Sequence, residues 1–230
     1  MPQTRPLRTV RSFVSRNTKL PPPKEMLYET LGASYGLDQW RSIPLISPFT
    51  LFNRVAPVIL EIGFGDGDSL FTMAKHHPNQ DFIGIEVYRR GIVSLLSKLK
   101  DCPLTNLKLF CGDVQEILPR FEPASFDRVQ IFFPDPWPKL RHHKRRLIQS
   151  KFVTELATFI KSDGILHLAT DWQDYASHMM KVLSETDFFI NTVPDQSFAT
   201  RPEYRPKTKY EQRGIRLGHT TSDILFKRKA

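Results

Sequence analysis

The sequence predicts an α/β fold built on a doubly wound, mostly parallel sheet. Three observations predict it. Short apolar runs that lead into an acid or a glycine recur at 58–62, 82–87, 107–110 and 129–133. Segments with apolar residues at helical spacing lie between them. Strands that alternate with helices make parallel βαβ units, whose strands are buried on both faces and read as continuous apolar runs.

Size and charge narrow the class. A chain of 230 residues with 40% apolar content holds one such domain plus an extension. Lys and Arg total 33 against 24 Asp and Glu, a net charge of +9. That excess points to a polyanionic partner, nucleic acid or a membrane surface. No run approaches the roughly 20 apolar residues that span a bilayer, so no membrane segment is expected. Cys102 and Cys111 fit reduced core thiols of a cytoplasmic protein. His76-His77 and His142-His143 lack partners at zinc spacing, so no metal is expected.

The first 24 residues carry Arg5, Arg8, Arg11, Arg16, Lys19 and Lys24, and the first acid is Glu25. Pro2, Pro6 and Pro21-Pro22-Pro23 argue against a regular helix there. The stretch reads as a basic arm for nucleic acid. An acid-free start with Arg and Ser also fits a mitochondrial transit peptide, against which the prolines and weak amphipathicity speak. Residues 25–55 read as a mixed connector. The chain therefore divides into an arm and connector, 1–55, and one α/β domain, 56–230.

In that domain Val58–Ile62 is the first strand, followed by a glycine-rich turn and a helix to about Lys75. Phe82–Val87 is the second, with Ile92–Lys100 as its helix. Leu107–Phe110 is the third and Val129–Phe133 the fourth. Ile148, Phe152, Leu156 and Phe159 recur at helical spacing. Ile165–Ala169 is the fifth strand, ending in Thr170-Asp171, and Tyr175–Ser184 reads as a helix. Phe188–Val193 and Ile224–Lys227 form a terminal antiparallel pair. The polar connection between them is long, which is uncommon unless functional.

The stretch around which the domain is organised is Phe132–Arg146, FFPDPWPKLRHHKRR. Three prolines stop the fourth strand, because proline cannot donate to a ladder. Asp135 then stands at a strand's carboxyl end beside Trp137. Lys139 to Arg146 adds five Lys/Arg and two His: Lys139, Arg141, His142, His143, Lys144, Arg145 and Arg146. Ligands of open α/β sheets bind beyond the carboxyl ends of the strands. A base can stack on Trp137 while phosphates meet the cations.

The other half of the site follows the first three strands. Glu61-Ile62-Gly63-Phe64-Gly65-Asp66-Gly67 lets the backbone turn sharply and approach a ligand. A dinucleotide fingerprint needs glycine at 68, where Asp68 stands, and carboxylates repel pyrophosphate. A ligand with a cationic end suits the turn, such as S-adenosylmethionine with its amino acid portion and sulfonium. Glu86, ending the second strand, can accept from ribose hydroxyls. Asp113, after the third, can accept from an adenine amino group. Four strands in succession thus end in acids, at 61, 86, 113 and 135.

With those residues in view, the chain resembles the bacterial tRNA (guanine-N7-)-methyltransferases of the TrmB family. The resemblance runs from Arg11-Ser12-Phe13-Val14 nearly to the C-terminus. It rests on EIGFGDG at 61–67, GIEVYRRG at 84–91, GDV at 112–114, FPDPWPKLRHHKRR at 133–146, TDW at 170–172 and TKYEQRG at 208–214. It implies a Rossmann-like class I S-adenosylmethionine-dependent methyltransferase with a seven-stranded sheet whose last strand is antiparallel. Glu61, Gly63, Gly65, Glu86, Asp113 and Asp135 would line the cofactor site, with Asp135 also the catalytic acid. Lys139, Asp171, Thr208, Lys209, Tyr210 and Glu211 match substrate-binding positions, and Arg141–Arg146 an RNA-contacting run. The implied product is N7-methylguanosine at position 46 of the tRNA variable loop. Pro138 departs from the family, which often has His there.

The implied chemistry suits the residues. Guanine N7 has a lone pair and no proton, so its attack on a methyl group needs no general base. An amino-group methyltransferase on another RNA base, or a non-catalytic RNA-binding protein of this fold, are the competing readings. The expected partner is tRNA, with no membrane and no metal, and the enzyme a monomer or homodimer.

Overall fold

The structure is a computed structural model and describes residues 11–14, 19–216, 218 and 220–230. Most of the basic arm, including Arg5, Arg8 and Arg16, lies outside the described residues.

The stretch expected as a connector is structured. Helix α1 spans Pro22–Tyr35, a 3₁₀ turn spans Gln39–Arg41, and α2 spans Pro48–Phe52. The prolines do not prevent α1 but begin it. Proline fits a helix's first turn, where its missing N–H would have had no partner. Gly36, at φ 88°, closes the helix in the left-handed conformation. Tyr28, Tyr35 and Leu37 are buried in the same apolar cluster as the helices of the α/β domain. Residues 22–52 are thus part of the packed unit.

The α/β portion follows the expected order. Strand β1 is Val58–Ile62, α3 Asp68–His76, β2 Asp81–Glu86, α4 Arg89–Asp101, β3 Leu107–Cys111, α5 Val114–Ile117 and β4 Phe126–Phe132. Then come α6 Ser150–Phe159, β5 Ile160–Thr170, α7 Gln173–Ser184, β6 Phe189–Asn191, α8 Lys209–Arg216 and β7 Ser222–Arg228. Strands β4 and β5 begin earlier than their apolar cores suggest, and α6 begins after Ile148. Helix α8, in the long polar connection, was not expected.

The described strands form one seven-stranded sheet in the order β3-β2-β1-β4-β5-β7-β6. Only β7 runs antiparallel to its neighbours, β5 and β6. The order reverses between β1 and β4, which are paired in parallel with Glu61 opposite Gln130. That switch point is where a crevice opens in this class of sheet. Alternation along β1 divides the core. Ile59 packs with α1, α3 and α4, while Leu60 packs with α6 and α7. On α4, Ile92, Leu95, Leu96 and Leu99 make one buried stripe. Among the described residues no helix is long and apolar enough to cross a membrane.

Candidate active site

One cavity of ≈ 830 Å³ opens beyond the carboxyl ends of β1 to β5. Glu61, Gly63, Gly65, Glu86, Asp113, Asp135, Asp171 and Thr208 all line it. This size lies within the range of small-molecule sites.

Strand β1 delivers Glu61 into the crevice almost fully buried. Its carboxylate accepts from Gln130 Nε2 at 2.7 Å. Burial pushes the Glu61 pKa up to about 7, against the pull of Gln130 and of the Arg128 cation, and Glu86 adds to the rise. Gly63 and Gly65 follow with φ of 75° and 56°, and a Cβ on either would meet nothing within 4 Å. The turn is therefore left-handed, which glycine adopts without penalty, and open on the ligand side.

Glu86 ties this turn to β2. Its Oε2 accepts from Gly65 N at 2.8 Å, and its Oε1 from the backbone of Val87 and Tyr88 at 2.6 and 2.9 Å. Burial raises its pKa, the three N–H donors oppose this, and Asp135 adds to the rise. A carboxylate has about four lone-pair sites, so roughly one is left for a ribose hydroxyl, not enough for two. Asp113 caps α5 by accepting from Gln115 N at 3.0 Å.

The Asp135 loop is held in uncommon backbone geometry. Phe133 and Trp137 have φ of 52° and 46°, rare for residues with side chains and costing about 1–3 kcal/mol each. Hydrogen bonds anchor the loop. Phe133 N donates to Ala169 O at 2.8 Å, Trp137 Nε1 to Ser12 O at 3.0 Å, and Arg146 Nε to Pro136 O at 2.9 Å. Asp135 itself is exposed at the cavity wall. Trp137 is not the open stacking platform expected of it. The Arg145 guanidinium lies over the ring at 4.4 Å, and the His142 ring stands nearly perpendicular to it with centroids 5.9 Å apart.

A family model described as "Putative methyltransferase" matches residues 55–224. The tRNA (guanine-N(7)-)-methyltransferase of Yersinia pseudotuberculosis serotype I (strain IP32953) is 45% identical, covering 98% of this chain and 94% of the relative. The enzyme of that name from Nitrosomonas europaea is 47% identical, covering 96% of this chain and 97% of the relative. This chain belongs to the tRNA (guanine-N7-)-methyltransferase family. Two solved structures show the fold alone. The 16S rRNA methyltransferase KamB aligns at TM-score 0.55 and 14% identity, over 79% of this chain and 92% of that one. The aminoglycoside resistance methyltransferase NpmB1 aligns at 0.52 and 15%, over 78% and 90%. The fold is that of the Rossmann-like class I methyltransferases.

In this family member the basic run is divided. Residues Leu140–Arg145 form a 3₁₀ helix on which Arg141 and Lys144 are exposed, as is Lys139 before it; His142, His143 and Arg145 are half-buried. Arg146 is not a surface cation. It is 2% exposed and bonds Pro136 O, His143 and Asp174, so its charge is used inside the protein. Glu211 is likewise turned inward. It is buried, and both its oxygens accept from Arg205, so its carboxylate is held in an ion pair inside the protein. The side chains of Lys209 and Tyr210 lie outside what the structure describes.

Five contributors escaped the sequence reading. Gln130 and Arg128 are mid-strand residues whose bearing on Glu61 appears only with the strand order. Arg205 lay in a polar stretch without periodicity. Ser12 and Phe13 line the cavity, with Val14 O accepting from Tyr88 Oη at 2.9 Å.

Proposed function

We propose that this enzyme transfers a methyl group from S-adenosylmethionine to N7 of a guanine in tRNA, guanosine 46 by the family's expectation. The observation that carries the reading is the meeting, in the lining of one cavity, of a glycine turn flanked by buried Glu61 and Glu86 with a second set made of Asp135, Asp171 and Thr208. The first set fits the donor. A buried carboxylate with a raised pKa gains from a cationic group, and Glu61 sits where the donor's ammonium would neutralise it. Glu86 and Asp113 offer acceptors for ribose and adenine. When bound, S-adenosylmethionine supplies an electrophilic methyl on a sulfonium.

The chain's own residues then orient and stabilise. Holding two reactants in line is worth up to about 7–11 kcal/mol. The guanine becomes cationic as the methyl arrives, and Asp135, fixed by its strained loop, supplies a preorganised negative charge. No proton leaves N7, so Asp135 abstracts none. Lys139, Arg141 and Lys144 meet phosphates beside the mouth and give most of the affinity. The enzyme acts in this reading as a monomer or a homodimer, in the cytoplasm, where its tRNA substrate resides.

The test uses 7-deazaguanosine, with carbon in place of N7, at the target position of an otherwise normal tRNA transcript. An N7 enzyme binds this RNA nearly normally and transfers nothing to it. Methyl incorporation at the deaza position would overturn the assignment and favour an amino-group methyltransferase.

A further inference from the structure

Arg205 has no part in the chemistry described above, yet its side chain contacts Asp223, Glu211 and the rings of Phe132 and Phe133, which flank the acceptor side of the cavity. Its side chain is fully buried. The guanidinium makes two forks. Nε and Nη2 donate to Oδ1 and Oδ2 of Asp223 at 2.7 and 2.8 Å. Nη1 and Nη2 donate to Oε2 and Oε1 of Glu211 at 2.7 and 3.0 Å. The cation also lies 5.7 and 5.9 Å from the rings of Phe132 and Phe133, which lead into Pro134-Asp135.

Each contact reaches a different arm of the site. Asp223 is on β7, opposite Ala169 of β5, two residues before Asp171. Glu211 is in the first turn of α8, whose N-terminal flank is Thr208 at the cavity wall. Phe133 begins the loop that carries Asp135. One planar cation thus sets β4's exit, β5's end and the start of α8 relative to one another.

The sequence of α8 shows what Glu211 has been diverted from. Thr208-Lys209-Tyr210-Glu211 has the spacing of a capping box, in which Thr bonds the N–H three residues on and Glu reaches back. The first half forms, with Glu211 N donating to Thr208 Oγ1 at 3.1 Å. The carboxylate goes to Arg205 instead. A buried ionic cluster adds little net stability, because taking its charges out of water costs about as much as their attraction returns. Two rigid forks do define position and angle.

We propose that Arg205 is a positioning residue for methyl transfer, holding Thr208 and the start of α8 so that the target base meets the donor in line with Asp135 and Asp171. The proposal rests on the methyl-transfer reading above. Phosphate contacts supply the affinity for tRNA, and Arg205 supplies none of them. Its loss is therefore a loss of alignment, and misplacement by about 1 Å costs roughly 100-fold in turnover.

The test compares Arg205→Lys, which keeps the charge and loses the forks, with Glu211→Gln and the double variant. Calorimetric titration with S-adenosylmethionine counts folded, binding-competent molecules, and steady-state kinetics with tRNA give kcat and KM separately. In Arg205→Lys, kcat falls about 100-fold. KM for tRNA moves less than about threefold, and the S-adenosylmethionine stoichiometry stays at that of the parent. Glu211→Gln falls in the same direction. The double variant is no worse than Arg205→Lys by more than about twofold, because both changes break one connection. A fall in kcat matched by an equal fall in binding-competent molecules would reduce Arg205 to a fold residue. If the parent methylates tRNA and both variants do so equally well, this inference alone falls. If the parent transfers nothing to tRNA, the methyl-transfer reading falls and takes this inference with it.

Discussion

Gln130 donates its side-chain amide to the Glu61 carboxylate across the β1–β4 boundary, at 2.7 Å and out of contact with water. The two residues are register partners at the sheet's switch point. Burial nevertheless dominates, and the Glu61 pKa rises from 4.5 to about 7. The folded-state pKa is above the unfolded one. The stability linked to this group is therefore fully present below about 4.5 and is lost as pH rises through about 7.

Ligand binding runs the other way. A donor with an ammonium group needs Glu61 ionised, so below pH 7 the site must first release a proton. S-adenosylmethionine affinity should weaken by up to about tenfold per unit of pH between 7 and 6. Glu61→Gln should bind weakly and with a flat profile, and should be more stable than the parent at pH 8. Calorimetry across this range checks both, and a flat parental profile would remove Glu61 from the donor site.

Arg146 and Arg141 stand five residues apart in one basic run and should behave oppositely. Arg146→Ser breaks the hydrogen bond to Pro136 O and the pair with Asp174, and should destabilise the fold by about 1–3 kcal/mol. Arg141→Ser and Lys144→Ser change exposed positions and should leave stability within about 0.5 kcal/mol. Each should weaken tRNA binding and lower the salt slope by about 0.7–0.9. Urea melts and binding at several salt concentrations separate the two behaviours. An unchanged slope in the Arg141 and Lys144 variants would make those cations a solvated face.

That contrast shows where the sequence stops being legible. The strands of the parallel core were readable because burial on both faces leaves continuous apolar runs, and the ordered acids after β1 to β4 do share one cavity. Within Lys139–Arg146, however, all cations look alike, and only the 3₁₀ geometry decides that Arg146 turns inward. The pairing of Glu211 was hidden for the same reason: a carboxylate's partner 6 residues away in a buried fork leaves no local pattern. Gln130 carries no charge and sits mid-strand, so its role appears only once β4 is known to lie beside β1. Two signals were present and passed over. Proline at a helix's first turn marks α1, and the Thr-x-x-Glu spacing marks α8.

Gly91 offers a steric test of the donor site. It lies in the first turn of α4, and a Cβ there would sit 2.2 Å from the backbone oxygen of Gly65. Backbone cannot yield as a side chain can, so Gly91→Ala must push the 63–67 turn outward. Overpacking of this kind costs about 1–3 kcal/mol, and S-adenosylmethionine affinity should fall with the melting temperature. Affinity for tRNA should hold, because the exposed cations are on another loop. Thermal melts with and without S-adenosylmethionine check this, and a parental stabilisation by ligand in the variant would exclude the turn from the site.

Asp135 carries the largest expected effect. Its loop is fixed by Ala169 O, Ser12 O and Arg146, and none of those three bonds uses the Asp135 side chain. Asp135 is exposed, so Asp135→Ala should leave the fold and the tRNA affinity intact. Turnover should fall by about 10²–10³, the range for removing one preorganised electrostatic group. Asp135→Asn then separates two roles. Asparagine keeps the shape and an acceptor oxygen but loses the negative charge. If Asp135 stabilises the charge that grows on the guanine, asparagine is nearly as poor as alanine. If it acts only by accepting a hydrogen bond, asparagine restores much of the rate. We expect the first result, because a methylated N7 makes the ring a full cation and a neutral amide answers that charge weakly. Single-turnover measurements with both variants, at saturating tRNA and S-adenosylmethionine, decide between them, and near-parental turnover in Asp135→Ala would remove this residue from the reaction.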